Sequence, residues 1–474
     1  MTKKELLDLV ELVEKERSES STLELKAAKG GTPSRLYDTL SSFSNQDKGG
    51  IILFGIDEEN GFDVCGVYDA HDLQKKVREQ CMQMQPPVRP LISIAEKDGK
   101  KIVAAEIPGI DLSERPCYYR GVGINKGSYV RVGDSDEPMT AYEIYSYEAY
   151  RKKYQDDIRT VQRASLLSLD QERLYQYIEK LKEGKKNFRL LRTEQIYELM
   201  GITRDNEVTL SAVLLFSPYP QAYFPQLCIT AVVVPGTEIG EEGADGERFS
   251  DNARIEGSIP EMLTEAIEFI RRNTRRKTII DPLSGKRADR PEYPTVAVRE
   301  AVLNALVHRD YSMHTEGMPI QILIYNDRLE IRNPGGIYGR ITIDQLGKAQ
   351  PDTRNPVLAS ALEAMGITEN RYSGIPTIRR ALQEYGLEAP EFKIERNNFV
   401  VRFYRHNEDL QIDDTMDQIL AYCLTPRTRK EIAQHLDIST EWYVDKKYLK
   451  PLVEAQRLLT DDSEGKRKRK YYTK

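Results

Sequence analysis

Three polar side chains interrupt an otherwise apolar stretch, R-E-A-V-L-N-A-L-V-H-R-D-Y (299–311): Glu300, Asn304 and His308, each four residues after the last. On a helix that spacing stacks them on one face. A carboxylate, an amide and an imidazole in a row need polar company. A Mg²⁺-nucleotide supplies it, with Glu300 as general base toward water and Asn304 as metal ligand. The same ladder also fits a buried hydrogen-bond network at a domain contact, with His308 an ordinary satisfied histidine. A second set stands near the N-terminus. Glu24 lies in an alternating, strand-like segment (Thr22–Lys26), and Asp57 ends the apolar run G-G-I-I-L-F-G-I-D (49–57). With Glu19 they can converge at strand ends and hold Mg²⁺ or Mn²⁺, which would activate water for phosphodiester hydrolysis. Lys26 shares a face with Glu24 and can offset phosphate charge. The alternative is a solvated Glu19 and a plain Glu24–Lys26 pair, since the chain carries 75 acidic residues from which such pairs arise by chance.

The elements that must position these groups follow from periodicity. Residues 3–17 read as an amphipathic helix with Leu6, Leu7, Val10 and Val13 on one stripe, not as a signal peptide. A helix from about Ser34 to Ser44, strands at 49–57 and 100–107, a strand pair between Tyr118 and Val132, and a tyrosine-rich helix (141–155) complete a first domain, 1–155. A connecting α/β region, 166–292, holds helices at 170–184 and 258–273, the strand L-C-I-T-A-V-V-V-P-G and an acidic glycine-rich loop, 237–252. A third region, 293–405, opens with the ladder helix and continues into strands I-Q-I-L-I-Y and R-L-E-I-R-N. The hydrophilic H-N-E-D-L-Q-I-D-D-T (406–415) reads as a linker to a terminal domain, 416–474. The whole is an α+β, multidomain chain.

Length of 474 residues predicts about three or four domains. A formal net charge of −6 excludes a uniformly basic coat, so nucleic-acid contact must come from local basic patches. No window approaches 18 uninterrupted apolar residues, so no membrane helix is expected. Five scattered cysteines with no C-x-x-C pair fit a reducing compartment, and the cytoplasm is the expected location.

The N-terminal pattern E-S-S-T-L-E-L-K (19–26), L-S-S-F-S-N-Q-D-K-G-G-I-I-L-F-G-I-D (40–57), G-V (66–67), P-P-V (86–88) and Y-V-R-V-G-D (129–134) resembles the Schlafen/AlbA-type family over roughly 10–145. The resemblance implies a nucleic-acid site. In eukaryotic Schlafens an E-x-x-x-x-E pair plus a later aspartate cleaves RNA, and Glu19, Glu24 and Asp57 fall at those positions. The later order, the ladder helix, N-P-G-G-I (333–337), T-R-N-P (353–356) and Y-S-G-I-P (372–376), resembles the HATPase-like C-terminal domain of the RecG-like helicase and regulator family, within the wider GHKL class. That resemblance implies Glu300 as water-activating base, Asn304 as Mg²⁺ ligand and ATP as cofactor. It sets Asn333, Gly335 and Gly336 where the class has its adenine loop, and Ser373 and Gly374 near the phosphates. Asn333 departs from the class aspartate, and Tyr372 stands where a second phosphate-loop glycine belongs. These departures weigh toward ATP binding over hydrolysis. No G-x-x-x-x-G-K-[ST] loop occurs, so a helicase motor is excluded.

From Asp417 the order helix, turn, helix, turn, helix, then K-R-K-R-K-Y-Y resembles a winged helix-turn-helix. Thr428 and Glu431 are spaced as a capping box. Trp442, Lys446, Lys447 and Lys450 are the expected DNA-facing residues, Tyr448 and Leu449 the inward ones. Lys466, Arg467, Lys468, Arg469 and Lys470 would meet phosphates. Three functions follow: a nucleotide-responsive DNA-binding transcriptional regulator, expected as a homo-oligomer on paired half-sites; a metal-dependent nuclease acting on RNA, in antiviral defence; and a non-catalytic scaffold.

Overall fold

The computed structural model describes all residues except 59, 244–245, 281–286, 350–351, 369–372, 396, 439, 456, 462–468 and 474, and the side chains of 277–280, 287–289, 407–414 and 454. Tyr372, Lys466, Arg467 and Lys468 therefore lie outside the described residues. The chain divides into two compact units, Met1–Gln155 with 338–340, and 156–337 with 341–474.

The first unit is a four-stranded sheet with helices on both faces. Helix α1 (Lys3–Glu16) begins at a capping box between Thr2 and Glu5. Strands β1 (Leu23–Lys26), β2 (Gly50–Phe54), β3 (Leu91–Lys97) and β4 (Lys100–Ile107) stand in the order β1-β2-β4-β3, with β1 parallel to β2. Strand alternation sorts the core. Leu23, Leu25, Leu53, Ile102 and Ala104 pack with Leu6, Val10 and Val13 of α1. Ile52, Phe54, Val103 and Ala105 pack against Leu40 and Phe43 of α2 (Tyr37–Ser44) and Leu73 and Val77 of α3 (Ala70–Cys81). Glu24 and Lys26 alternate with Leu23 and Leu25, so they sit opposite α1.

The expected pairing within Tyr118–Val132 does not form. Tyr118–Tyr119 pairs with Met84–Gln85, while β5 (Tyr129–Val132) pairs with β6 (Ser135–Pro138). A short helix, Ile124–Gly127, occupies the intervening residues and leaves only a bridge from Tyr118 to Ser128. Helix α4 (Ala141–Lys152) follows, with its own capping box at Thr140 and Glu143.

The second unit has one main core, running from Val161 to Phe403 through both middle regions of the sequence. After α5 (Gln171–Gly184) comes α6 (Leu210–Phe216), apolar around its circumference and buried at every position. A six-stranded sheet takes the order β8-β7-β9-β10-β12-β11, from β7 (Ile229–Val233), β8 (Asp251–Ile255), β9 (Ile320–Ile324), β10 (Arg328–Pro334), β11 (Glu391–Glu395) and β12 (Asn398–Tyr404). Helices α7 (Ile259–Asn273), α8 (Thr295–His308), α9 (Pro356–Ala364) and α10 (Gly374–Glu384) contribute to the core. Among the described residues no helix is long and apolar enough to cross a membrane.

The C-terminal residues form a separate small core around Ile419, Ile432, Val444, Leu449 and Tyr471. The segment expected as a linker, 406–415, is instead the first half of α11 (Asn407–Tyr422). No Gly or Pro interrupts it, so the helix runs through. Strand β13 (Arg427–Thr428) leads into α12 (Arg429–His435), which starts at the Thr428–Glu431 capping box. The last expected helix spans 441–454 with a π-helical stretch at Asp445–Leu449, just before Pro451. Pro451 has no N–H to give the Lys447 carbonyl, which accounts for the widened turn. Leu459 opens β14 (Leu459–Asp461), which pairs with β15 (Lys470–Tyr472); β15 pairs in turn with β13.

Candidate nucleotide and nucleic-acid sites

Helix α8 is buried along nearly its whole circumference, from Ala297 to Val307. Glu300 and Asn304 are half-buried exceptions and His308 ends the row. Against this ladder comes the first residue of α10. A Cβ built on Gly374 would lie 3.1 Å from Glu300 Oε2 and 3.1 Å from Asn304 Nδ2. A larger residue would push those side-chain ends back by a few tenths of an ångström, so glycine gives the closest approach. Ser373, the N-cap, makes no side-chain cap bond, so its hydroxyl satisfies none of the first-turn N–H groups of α10. Amide donors and a partial positive charge thus meet a carboxylate and an amide oxygen, an arrangement that accepts phosphate. Glu300 and Asn304 offer the hard oxygens that Mg²⁺ takes together with nucleotide phosphates, so these residues fit the metal. His308 is exposed at the end of the row, with protein crowded close around its ring. That desolvation, with Arg354 nearby, pushes its pKa down to about 4, so the imidazole is neutral at pH 7.

Beyond His308 the chain is clamped. Asn355 Nδ2 donates to the carbonyls of Val307 and Arg309, both at 2.8 Å, capping the end of α8. Asp310 forms a buried ion pair with Arg354, whose Nη2 also reaches the Gly336 carbonyl at 3.3 Å. Gly335, at φ +104, presses on Asp310: an added Cβ would lie 2.7 Å from the Asp310 Cβ. The N-P-G-G turn is thereby fixed to the end of the ladder helix. Asn333 sits on β10 in step with Leu329 and Ile331, whose side chains enter the core that α8 shares. It is 5 % exposed, and its Oδ1 is buried with no hydrogen-bond partner among the described residues. Sequence reasoning singled out Glu300, Asn304, His308, Asn333, Gly335, Gly336, Ser373 and Gly374, but missed Asp310, Arg354 and Asn355. A cavity of about 550 Å³ lies elsewhere, lined by Leu263, Ile267, Arg299 and Ile367 among others and by none of the ladder residues.

In the first unit Glu19 and Glu24 do come together, around a residue that sequence reasoning passed over. Arg131, on β5, is almost wholly buried and lies 2.9 Å from Glu24, 3.0 Å from Asp136 and 3.8 Å from Glu19. It also donates to the carbonyl of Leu23 at 3.2 Å and lies 5.2 Å from the Phe43 ring centre. Lys26 pairs with Glu24 from the same strand face. Glu19 accepts a 2.6 Å bond from the Leu25 N–H. Burial, reinforced by the Glu24 charge, pushes its pKa up to about 7; Arg131, engaged more closely by Glu24 and Asp136, does little to offset this. Asp57 stands apart: its carboxylate accepts from Asn60 at 2.6 Å, and the charges acting most on Glu19 are Glu24, Glu58 and Lys26. Among the described residues no three His, Cys, Asp or Glu side chains converge as metal ligands. The acids do not fit the expected Mg²⁺ or Mn²⁺ site, because the Arg131 guanidinium already neutralises Glu24 and stands where a cation would.

A carboxyl raised to about 7 is protonated in the fold below that pH and loses stability on ionising as pH rises from about 4.5 through 7. Glu19→Gln keeps the oxygen that accepts from Leu25. It should therefore melt like the parent at pH 5 and more stably at pH 8.5, by on the order of 1 kcal/mol after solvent screening. Equal melting shifts at both pH values would show that Glu19 ionises normally.

In the C-terminal region Trp442, Lys446 and Lys450 are exposed, while Tyr448 and Leu449 are buried. Lys446 Nζ lies 5.0 Å from the Trp442 ring centre, and Lys447 bonds the Tyr443 hydroxyl at 2.6 Å. Of the basic run, Arg469 and Lys470 are described, both half-buried, with Lys470 on β15.

Comparisons with known proteins match segments of both units. Residues 19–140 match the family "Schlafen, AlbA_2", and 317–403 match "Putative ATP-dependent DNA helicase recG C-terminal", a HATPase-type domain. The second match holds Asn333, Gly335, Gly336 and Gly374; the ladder on α8 precedes it. The crystal structure of the DIP2311 protein from Corynebacterium diphtheriae is 18 % identical, covering 99 % of this chain and 97 % of that one, at a TM-score of 0.41. The solution structure titled "N-terminal Domain of Putative ATP-dependent DNA Helicase RecG-related Protein" from Nitrosomonas europaea is 26 % identical, covering 30 % of this chain and 94 % of that one, at a TM-score of 0.23. No curated protein matches the chain. The family matches make residues 19–140 similar to Schlafen/AlbA_2 domains and 317–403 similar to RecG-type HATPase domains.

Proposed function

We propose that this chain is a nucleotide-responsive DNA-binding regulator whose second unit binds a Mg²⁺-nucleoside triphosphate. The observation that carries the reading is the N-terminus of α10 set against Glu300 and Asn304, with Gly374 giving the close approach. In this reading the α10 amides take the phosphates, Asn304 holds the metal, and Asn333 meets the base. Bound Mg²⁺ would neutralise triphosphate charge; Glu300 would hold the proton of an attacking water. The AlbA_2 and RecG-related matches support a nucleic-acid role, and the three C-terminal helices with the β13-β15-β14 sheet support a winged helix. In this reading the protein acts as a dimer on paired half-sites, as helix-turn-helix proteins commonly do. The test is the melting temperature of the full chain with and without Mg²⁺-ATP. A rise that needs both metal and nucleotide supports the site; no rise with any nucleoside triphosphate removes it.

For the DNA-binding half, Trp442, Lys446 and Lys450 supply the exposed basic and aromatic face. The double variant Lys446→Ala with Lys450→Ala should weaken duplex binding similarly for every sequence. It should also reduce the slope of log K against log salt by roughly 2, near 0.9 for each lost phosphate contact. An unchanged slope in a folded variant would turn this surface over to protein partners.

A further inference from the structure

We infer that Asn333 makes the nucleotide site indifferent to whether the base carries an amino or an oxo group, so that ATP and GTP bind alike; this rests on the nucleotide reading above. A buried amide ordinarily finds hydrogen-bond partners, because leaving it unpaired costs the full desolvation of its polar atoms. Asn355 meets this in part, with Nδ2 shared between two carbonyls and only its Oδ1 unpartnered. Asn333 does not. More than nine-tenths buried, it has an unpartnered Oδ1, and no hydrogen bond from its Nδ2 fixes the side chain among the described residues. The turn that carries it is held by Gly335 against Asp310 and by the Asp310–Arg354 pair, so the backbone is not free to swing in search of a partner. The unmet group points to a ligand.

The chemistry of that ligand follows from the carboxamide. It presents one donor and one acceptor side by side, and its terminal torsion is broad and two-fold, so turning it by half a circle exchanges them. With the base edge laid on residue 333, one orientation gives Oδ1 to the adenine amino group and Nδ2 to the ring nitrogen beside it. The other gives Nδ2 to the guanine carbonyl and Oδ1 to the ring N–H. Since nothing in the described protein pins the amide, neither orientation starts with an advantage. An aspartate at 333 would accept only, and would face the guanine carbonyl with like charge.

The experiment is calorimetric titration of the full chain with Mg²⁺-ATP and Mg²⁺-GTP. The wild type should bind the two within about threefold of each other. Asn333→Asp should move the ratio at least tenfold toward ATP, and Asn333→Ala should weaken both together. A wild-type preference beyond thirtyfold for either nucleotide overturns the inference while leaving the nucleotide site standing. So does a ratio that Asn333→Asp leaves unchanged in a folded protein. Binding of neither nucleotide overturns both readings.

Discussion

Asn304→Ala should abolish the Mg²⁺-ATP-dependent rise in melting temperature while leaving the unliganded protein close to wild type. Asn304 is half-buried on α8 and makes no hydrogen bond to another described residue, so its truncation orphans no partner. A structural network would behave oppositely, with about 1–3 kcal/mol lost for each buried partner left unpaired. Ligand at about 100 times its dissociation constant contributes roughly 2.7 kcal/mol, which is the size of the shift that should vanish. Glu300→Gln separates binding from chemistry. It preserves shape and an acceptor oxygen but not basicity, so the thermal shift should persist while any turnover stops. A strongly destabilised Asn304→Ala, with no ATP shift in the wild type, would leave the scaffold reading in front.

The ladder was legible because helical periodicity is local: a spacing of four within an apolar run admits one face and one neighbourhood. N-P-G-G was legible as a turn for a similar reason. What the sequence did not disclose is which distant groups these elements meet. Asp310 and Arg354 pair across 44 residues, and Arg131 reaches Glu24 across more than 100, with nothing to mark them among 69 basic side chains. Arg131 does lie inside the Y-V-R-V-G-D motif, but periodicity assigns it only to a strand. The likeness of Glu19, Glu24 and Asp57 to a catalytic triad rests on the family resemblance, and in the fold the first two lie about Arg131. The 406–415 stretch reads as a linker by charge, whereas helix continuity depends on the absence of breakers, a weaker signal than composition. Parallel pairing of β7 with β9 spans some ninety residues and follows from no local pattern.

The largest stability loss should come from Arg131→Ala. Its guanidinium is the shared counter-ion of Glu24, Asp136 and, more distantly, Glu19, and it ties the β5–β6 hairpin to β1. The Asp136 carboxylate that it holds also accepts from Thr39 at 2.6 Å and Ser42 at 2.5 Å, so the pair anchors α2 as well. Removing one member of a buried ion cluster costs about 3–5 kcal/mol, because the remaining carboxylates keep their desolvation and lose their partner. Lys26 remains for Glu24, which places the expected loss toward the lower end of that range. Arg131→Lys should recover only part of it, since one ammonium cannot reproduce the several directed contacts of the fork. The variant also tests the metal question. If the acids serve only Arg131, Mn²⁺ will not restore the melting temperature of Arg131→Ala. If Mn²⁺ rescues the variant but leaves the wild type unaffected, Glu19 and Glu24 can hold a divalent cation, and Arg131 occupies its place in this chain.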